Sequence, residues 1–176
     1  MVLFQILSGR RDGADHHLCR GGDSHGTRTS PVTVKGLTGV TQVAAGGLPG
    51  YAGHSVALKS DGTVWTWGYG KSGQLGLGSA TSTSTPTKVG GLPAIAQVAA
   101  GGDNTYALGR DGSLWAWGDD AYGQIGITGS ARAQATPLRV NLSAVKSVGA
   151  RRHPRPGADQ RRRRVGVGEQ QHRPGW

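Results

Sequence analysis

The sequence predicts an all-β protein assembled from stacked copies of one small sheet. Three observations carry that prediction. A block of about fifty residues occurs twice, almost in register. Inside each block, short apolar runs alternate with polar residues and end at glycine. Glycine itself makes up 32 of 176 residues and proline a further 8, which leaves little room for a helical bundle.

The repeat is visible by inspection. Gln42-Val43-Ala44-Ala45-Gly46-Gly47 recurs unchanged as Gln97-Val98-Ala99-Ala100-Gly101-Gly102, 55 positions later. Residues 57–76 align with 107–126 at an offset of 50, with 10 of 20 positions identical. The offsets differ because the first copy carries an insertion at residues 48–53. Thr29-Ser30-Pro31-Val32 and Gly36-Leu37 precede the first unit, as Thr85-Pro86-Thr87 and Gly91-Leu92 precede the second. Thr136-Pro137 and Val140 open a third unit, which stops at Val148-Gly149-Ala150.

The elements of a unit follow in order. Residues 43–45 form a first short strand. Residues 55–59 and 64–67 form a hairpin around Asp61-Gly62, where glycine takes a positive φ without steric cost. In Val64-Trp65-Thr66-Trp67-Gly68 the period of two puts both indoles on one face. The second unit repeats this around Asp111-Gly112 with Leu114-Trp115-Ala116-Trp117-Gly118. Residues 87–89 make a fourth strand. The glycine-rich stretch 69–78, the Ser/Thr stretch 79–85 and residues 119–136 read as loops, with Gln74 and Gln124 at matching places in them.

Three or four short strands per period is the pattern of a β-propeller blade. One blade cannot bury both faces of its sheet, so neighbours must stack. Trp65, Trp67, Trp115 and Trp117 could form a base- or sugar-stacking platform. Identical aromatics in every repeat are better explained as the repeated core. The chain thus reads as a propeller fragment of about two complete blades with poorly ordered termini. Residues 1–28 are unassigned, residues 29–150 hold the repeats (units 42–91 and 97–140, a third begun), and residues 151–176 form a basic tail.

These residues resemble the regulator of chromosome condensation repeat. The string Val-Ala-Ala-Gly-Gly, then Ala-Leu, then Asp-Gly-x-Val/Leu-Trp-x-Trp-Gly, then Gly-Gln-Leu/Ile-Gly carries the resemblance, over roughly residues 29–150. It implies a propeller of about seven blades, a ring that two units cannot close. It implies a macromolecule-binding or scaffold module, whose partner is another protein or further blades. The similarity between successive units resembles the repetitive bacterial members. Guanine-nucleotide exchange on a small GTPase is the alternative implied by the nuclear members, although no exchange residue maps onto this chain. Exposed apolar faces would make the isolated chain associate.

Charge and motifs exclude other classes. The net charge is +10, but residues 151–176 hold eight basic and two acidic side chains and so carry +6 of it. Nucleic-acid binding would rest on Arg161–Arg164 in that tail alone, and is disfavoured. His16, His17, Cys19, Asp23 and His25 are metal-ligand types at a spacing that fits no common zinc pattern, so no metal is assigned. His54 reads as a hydrogen-bonded turn residue, and Asp61 and Asp111 as turn carboxylates. Gly-Tyr-Gly-Lys-Ser-Gly at residues 68–73 lacks the spacer of a phosphate loop. No nucleophile–base set can be assembled, so neither catalysis nor a cofactor is expected. One cysteine allows no internal disulfide. No apolar run is long enough for a membrane helix, and residues 2–7 lack the flanks of a secretory signal. No compartment is assigned.

The tail has a further property. Read one base late, codons 159–174 permit Thr-Ser-Asp-Gly-Ala-Val-Trp-Ala-Trp-Gly-Ser-Asn-Ser-Thr-Gly-Gln, with the first indole 50 positions after Trp115. Residues 151–176 therefore read as a further repeat out of frame. Residues 1–27 yield no repeat in the same way.

Overall fold

The computed structural model describes residues 34–47, 53–126, 133–142 and 145–149. The assignments made above for residues 1–28 and 151–176, including His16, His17, Cys19, Asp23, His25 and Arg161–Arg164, lie outside the described residues. Within them every regular element is a strand: β1 Val40–Gly46, β2 His54–Lys59, β3 Val64–Gly68, β4 Thr83–Lys88, β5 Ile95–Gly101, β6 Asn104–Gly109, β7 Leu114–Asp119 and β8 Ala133–Val140. They form two four-stranded antiparallel sheets, ordered β1-β2-β3-β4 and β5-β6-β7-β8. No helix among the described residues is long and apolar enough to cross a membrane.

The central hairpins turn as their sequence dictates. Gly62 N–H donates to the Lys59 carbonyl at 2.9 Å, and Gly62 sits at φ +82°. Gly112 does the same to Gly109, at φ +79°. A side chain other than glycine is strained there. The Asp61 carboxylate accepts from the Thr63 amide at 2.9 Å and its hydroxyl at 2.7 Å. Asp111 accepts likewise from Ser113.

The outer strands begin earlier than the sequence suggests. Residues 83–85, expected as loop, belong to β4, and residues 133–136, also expected as loop, belong to β8. Neither strand has a buried face, so no apolar alternation marks them; β4 is mostly Thr, Ser and Lys. Both contain a proline, Pro86 and Pro137, which a strand tolerates at a sheet edge or bulge. The register shows the bulge. Thr66 pairs with Thr87 and Gly68 with Thr83, so Trp67 alone opposes residues 84–86. Trp117 opposes residues 135–137 in the same way.

The sheets stack face to face. Val56, Leu58 and Val64 of the first sheet meet Val98, Ala107 and Trp117 of the second, with Val89 and Ile95 closing the edges of the cluster. The far side of the second sheet buries Ala99, Tyr106, Leu108, Leu114 and Ala116 against Val145 and Val148 of the third unit. Among the described residues every sheet face thus has a layer over it except one: the face of β1–β3 that carries Val43, Trp65 and Trp67. Val43 is 40% exposed there, whereas its counterpart Val98 is 2% exposed.

Trp67 and Trp117 occupy equivalent positions in the same Trp-x-Trp-Gly motif, yet only Trp117 is fully buried. Trp117→Ala is expected to cost about 3–5 kcal/mol, the range for an emptied aromatic core position. Trp67→Ala should cost only ~1–2 kcal/mol, since part of that surface is already in water. Urea unfolding of the two variants checks this order.

Candidate functional site

Two surfaces organise the molecule: the junction between the sheets and the uncovered face of the first. At the junction, the loop after β3 is the acceptor-rich side. The Gln74 carbonyl accepts the Trp117 indole N–H at 2.9 Å and the Thr105 hydroxyl at 2.8 Å. The Gln74 amide Nε2 donates to Asp103 at 3.0 Å, and its Oε1 accepts the Ser72 amide at 2.9 Å. Thr66 holds the loop from beneath, donating to the Leu75 carbonyl at 2.7 Å. Gln74 is fully buried by these contacts.

His54 lies beside this node. It is the first residue of β2 and not a turn residue. Its Nε2 pairs with Thr105 Oγ1 at 2.8 Å across the junction. It is fully buried, its Nδ1 has no hydrogen-bond partner, and burial lowers its pKa to about 4. Asp103 moves the other way: burial, then the charge of Asp119, raise its pKa, opposed by the Gln74 hydrogen bond. The Tyr106 hydroxyl is pushed up to about 12 by burial and by Asp120. The exposed turn carboxylates of Asp61 and Asp111 are lowered by their bonds to Thr63 and Ser113.

A second tie runs along the inner strands. Gln42 Nε2 donates to the Val98 carbonyl at 3.0 Å, and its Oε1 accepts the Val98 amide at 2.9 Å. Gln97 repeats half of this clamp, accepting the Val148 amide at 3.0 Å. The sequence displayed both glutamines in its longest exact repeat, but gave no reason for an amide there. The structure supplies it: each satisfies backbone groups of the next unit. Thr63 and Ser113 are likewise repeat residues with a role unseen in the sequence. Each hydroxyl donates to its turn aspartate and accepts the indole N–H of Trp65 or Trp115, at 3.1 and 2.9 Å.

The remaining singled-out residues fall into place around these surfaces. Trp115 packs at the edge of the inter-sheet cluster beside Trp117. Trp65 and Trp67 share the uncovered face, where the Lys59 ammonium stands 5.6 Å over the Trp65 ring and 3.9 Å from Asp61. Gly68 closes β3 at φ +106°, and Gly118, one residue before the end of β7, sits at φ +120°. A Cβ on Gly118 would run into the Asp103 carbonyl oxygen, so backbone contact requires glycine there. Gln124 does not repeat the bonds of Gln74 to a neighbouring sheet. Its amide donates to Asp119 of its own sheet at 2.6 Å, and it stays partly exposed.

Chemically, this is an arrangement for holding surfaces together. Among the described residues no group of three or more His, Cys, Asp or Glu could hold a metal ion. The buried histidine faces a threonine whose hydroxyl is already committed to the Gln74 carbonyl.

The regulator of chromosome condensation (RCC1) repeat matches residues 61–108 in one form, and residues 40–74 and 95–124 in a second. The chain belongs to the RCC1 repeat family. The mitochondrial RCC1 domain-containing protein RUG3 of Arabidopsis thaliana is 35% identical over 131 residues, covering 73% of this chain and 28% of that protein. Human WBSCR16 superposes with a TM-score of 0.60 at 33% identity, covering 67% of this chain and 30% of that one. Prp20p of Saccharomyces cerevisiae, a protein studied for binding to Gsp1p and histones, superposes at 0.54 with 23% identity, a likeness of fold. It covers 63% of this chain and 28% of that one. The chain thus spans under a third of each of these RCC1-type proteins and has the fold of a partial propeller.

The buried histidine makes stability depend on pH. Its folded pKa of about 4 lies below the ordinary histidine value of 6.5, so the unfolded state binds more protons between those values. Stability is full above about pH 6.5 and falls as the pH drops toward 4, by on the order of 3 kcal/mol. The raised pKa of Asp103 gives a contribution of opposite sign, at the acid end of that window. His54→Asn, the residue found at the matching position 104, should flatten the profile between pH 4 and 6.5 in denaturant titrations. Gln42→Ala strands both backbone groups of Val98 and should cost about 1–3 kcal/mol, measured in the same way at pH 7.

Proposed function

We propose that the chain is a segment of a larger RCC1-type propeller that works as a macromolecule-binding or scaffold module, without catalysis of its own. One observation carries the reading. The face holding Val43, Trp65 and Trp67 is half-open, while the matching face holding Val98, Trp115 and Trp117 is closed by the neighbouring sheet. A surface with the chemistry of a blade interface calls for another protein surface, supplied by further blades or by a partner. The edges supply loops for a partner as well: Tyr122, 77% exposed, projects from the loop after β7. No constellation in the described residues supports a reaction, and the charge-bearing tail lies apart from both surfaces in sequence.

Sedimentation of the purified chain tests this. The expected outcome is concentration-dependent association that Trp67→Glu abolishes, because the charge would lose its water in any interface on that face. A monomer at all concentrations, with Trp67→Glu indistinguishable, would refute an interface there. Nucleotide release from small GTPases, accelerated by the chain alone, would favour the exchange reading instead.

A further inference from the structure

The far face of the second sheet is occupied in a telling way. Residues 145–149 lie on it as the inner strand of a third unit would. Val145 and Val148 are buried against Tyr106, Leu108, Leu114 and Ala116. The Val148 amide meets Gln97 Oε1 at 3.0 Å, as the Val98 amide meets Gln42 Oε1 at 2.9 Å. Up to Val148 the third unit is therefore in register in space as well as in sequence. The pattern then requires Gly-Gly, a strand matching β6, an Asp-Gly turn and a Trp-x-Trp-Gly strand. The written sequence gives Arg151-Arg152-His153-Pro154 instead.

We propose that the occupant of this face is the first three strands of a third blade, whose codons lie one base out of phase in residues 151–176. The proposal rests on the reading of the chain as part of a larger propeller, and it identifies the blade that follows. With CGN arginine codons, codons 151–158 read one base late admit Gly-Gly-Thr-His-Ala-Leu-Ala-Leu. The Gly-Gly falls 50 positions after Gly101-Gly102, and the Ala-Leu falls 50 after Ala107-Leu108. The histidine falls at position 154, which is 100 after His54, the residue that reaches across a sheet junction. Codons 159–174 continue through Asp-Gly, Val-Trp-Ala-Trp-Gly and Gly-Gln, as set out above. The last two codons extend the match through the loop that carries Gln74 and Gln124 in the earlier units. Trp176 has one codon, TGG, whose final two bases specify glycine whatever follows, 50 positions after Gly126.

The whole reading is Gly-Gly-Thr-His-Ala-Leu-Ala-Leu-Thr-Ser-Asp-Gly-Ala-Val-Trp-Ala-Trp-Gly-Ser-Asn-Ser-Thr-Gly-Gln-Val-Gly. Each shifted codon admits at most four amino acids, and the Gly-Gly, Ala-Leu, Asp-Gly, Trp-x-Trp-Gly and Gly-Gln residues of the repeat are among them; codons 155 and 163 admit alanine but no hydroxyl residue, where the earlier units have Ser55 and Thr105, and Thr63 and Ser113. Two further departures are informative. Codon 153 admits Thr or Ile, so the acceptor Asp103 offers to Gln74 would become a hydroxyl at best. Codon 156 admits Leu where the earlier units have Val56 and Tyr106, which keeps the face apolar. Codon 150 admits no alanine when shifted, yet Ala150 in its present frame matches Ala100. One extra base at the boundary of codons 150 and 151 therefore accounts for the tail. On this reading the +6 charge of residues 151–176 reflects the frame and serves no anionic partner.

Sequencing the coding DNA across codons 149–176 tests the proposal without requiring any variant to fold. The expected result is GTG at Val165 and Val167, giving TGG twice in the shifted frame, with no stop before the end. Leucine, serine or a stop at either place would overturn it. A chain in which residues 151–176 are replaced by the shifted reading gives a second measurement. Its Tm should rise by ~5 °C or more, since each added neighbour stabilises a repeat array; an unchanged Tm would overturn the docking claim. Neither result depends on what the open face of the first sheet binds, so failure here is separable from failure of the binding-module reading.

Discussion

One main-chain carbonyl ties the two sheets together. Gln74 O receives the indole N–H of Trp117 and the hydroxyl of Thr105, both from the second sheet. Thr105 in turn meets His54, and the Gln74 side chain reaches Asp103. Each such bond is worth only about 0.5–1.5 kcal/mol net. Their importance is that Trp117, the largest buried side chain, can enter the core only if its N–H finds an acceptor. The glycine-rich loop that carries Gln74 is therefore a structural part, held by Thr66 of its own sheet and by the next sheet.

The same local sequence meets different surroundings along the array, and its exposure follows the neighbour. Gln74 is buried between two sheets, while Gln124 folds back on Asp119. Val98 and Trp117 are covered, while Val43 and Trp67 are not. This is the behaviour of a quasi-one-dimensional structure, in which each unit is stabilised by its own sheet and by the interfaces on either side. A terminal unit with one interface is the weakest member. Its open face is the surface on which the proposed binding role rests.

Much of this was legible in the sequence for a physical reason. The Trp-x-Trp alternation and the Asp-Gly turns are local, and period-two burial leaves a direct mark on composition. The inner six strands were found in that way. The sequence reading makes β4 too short and assigns no strand at β8, because they bury neither face and nothing but backbone pairing defines them. His54 was read as a turn residue because its partner, Thr105, is distant in the chain. The amides of Gln42 and Gln97 were visible as a repeat but not as clamps, because a backbone group of the next unit has no sequence signature. The hydroxyls of Thr63 and Ser113 could have been found: both are hydroxyl residues two positions before a tryptophan, at the repeat offset of 50.

Native-state hydrogen exchange tests most directly whether the junction makes the two sheets one cooperative unit. The indole N–H of Trp117 and the amide of Val98 report the junction, and the amides of Val56 and Ala107 report the individual sheets. If the sheets depend on one another, all four exchange with the same free energy, equal to that of global unfolding. Rapid exchange at Trp117 and Val98, with Val56 and Ala107 still protected, would mean that the sheets part while each stays folded, and would contradict the account.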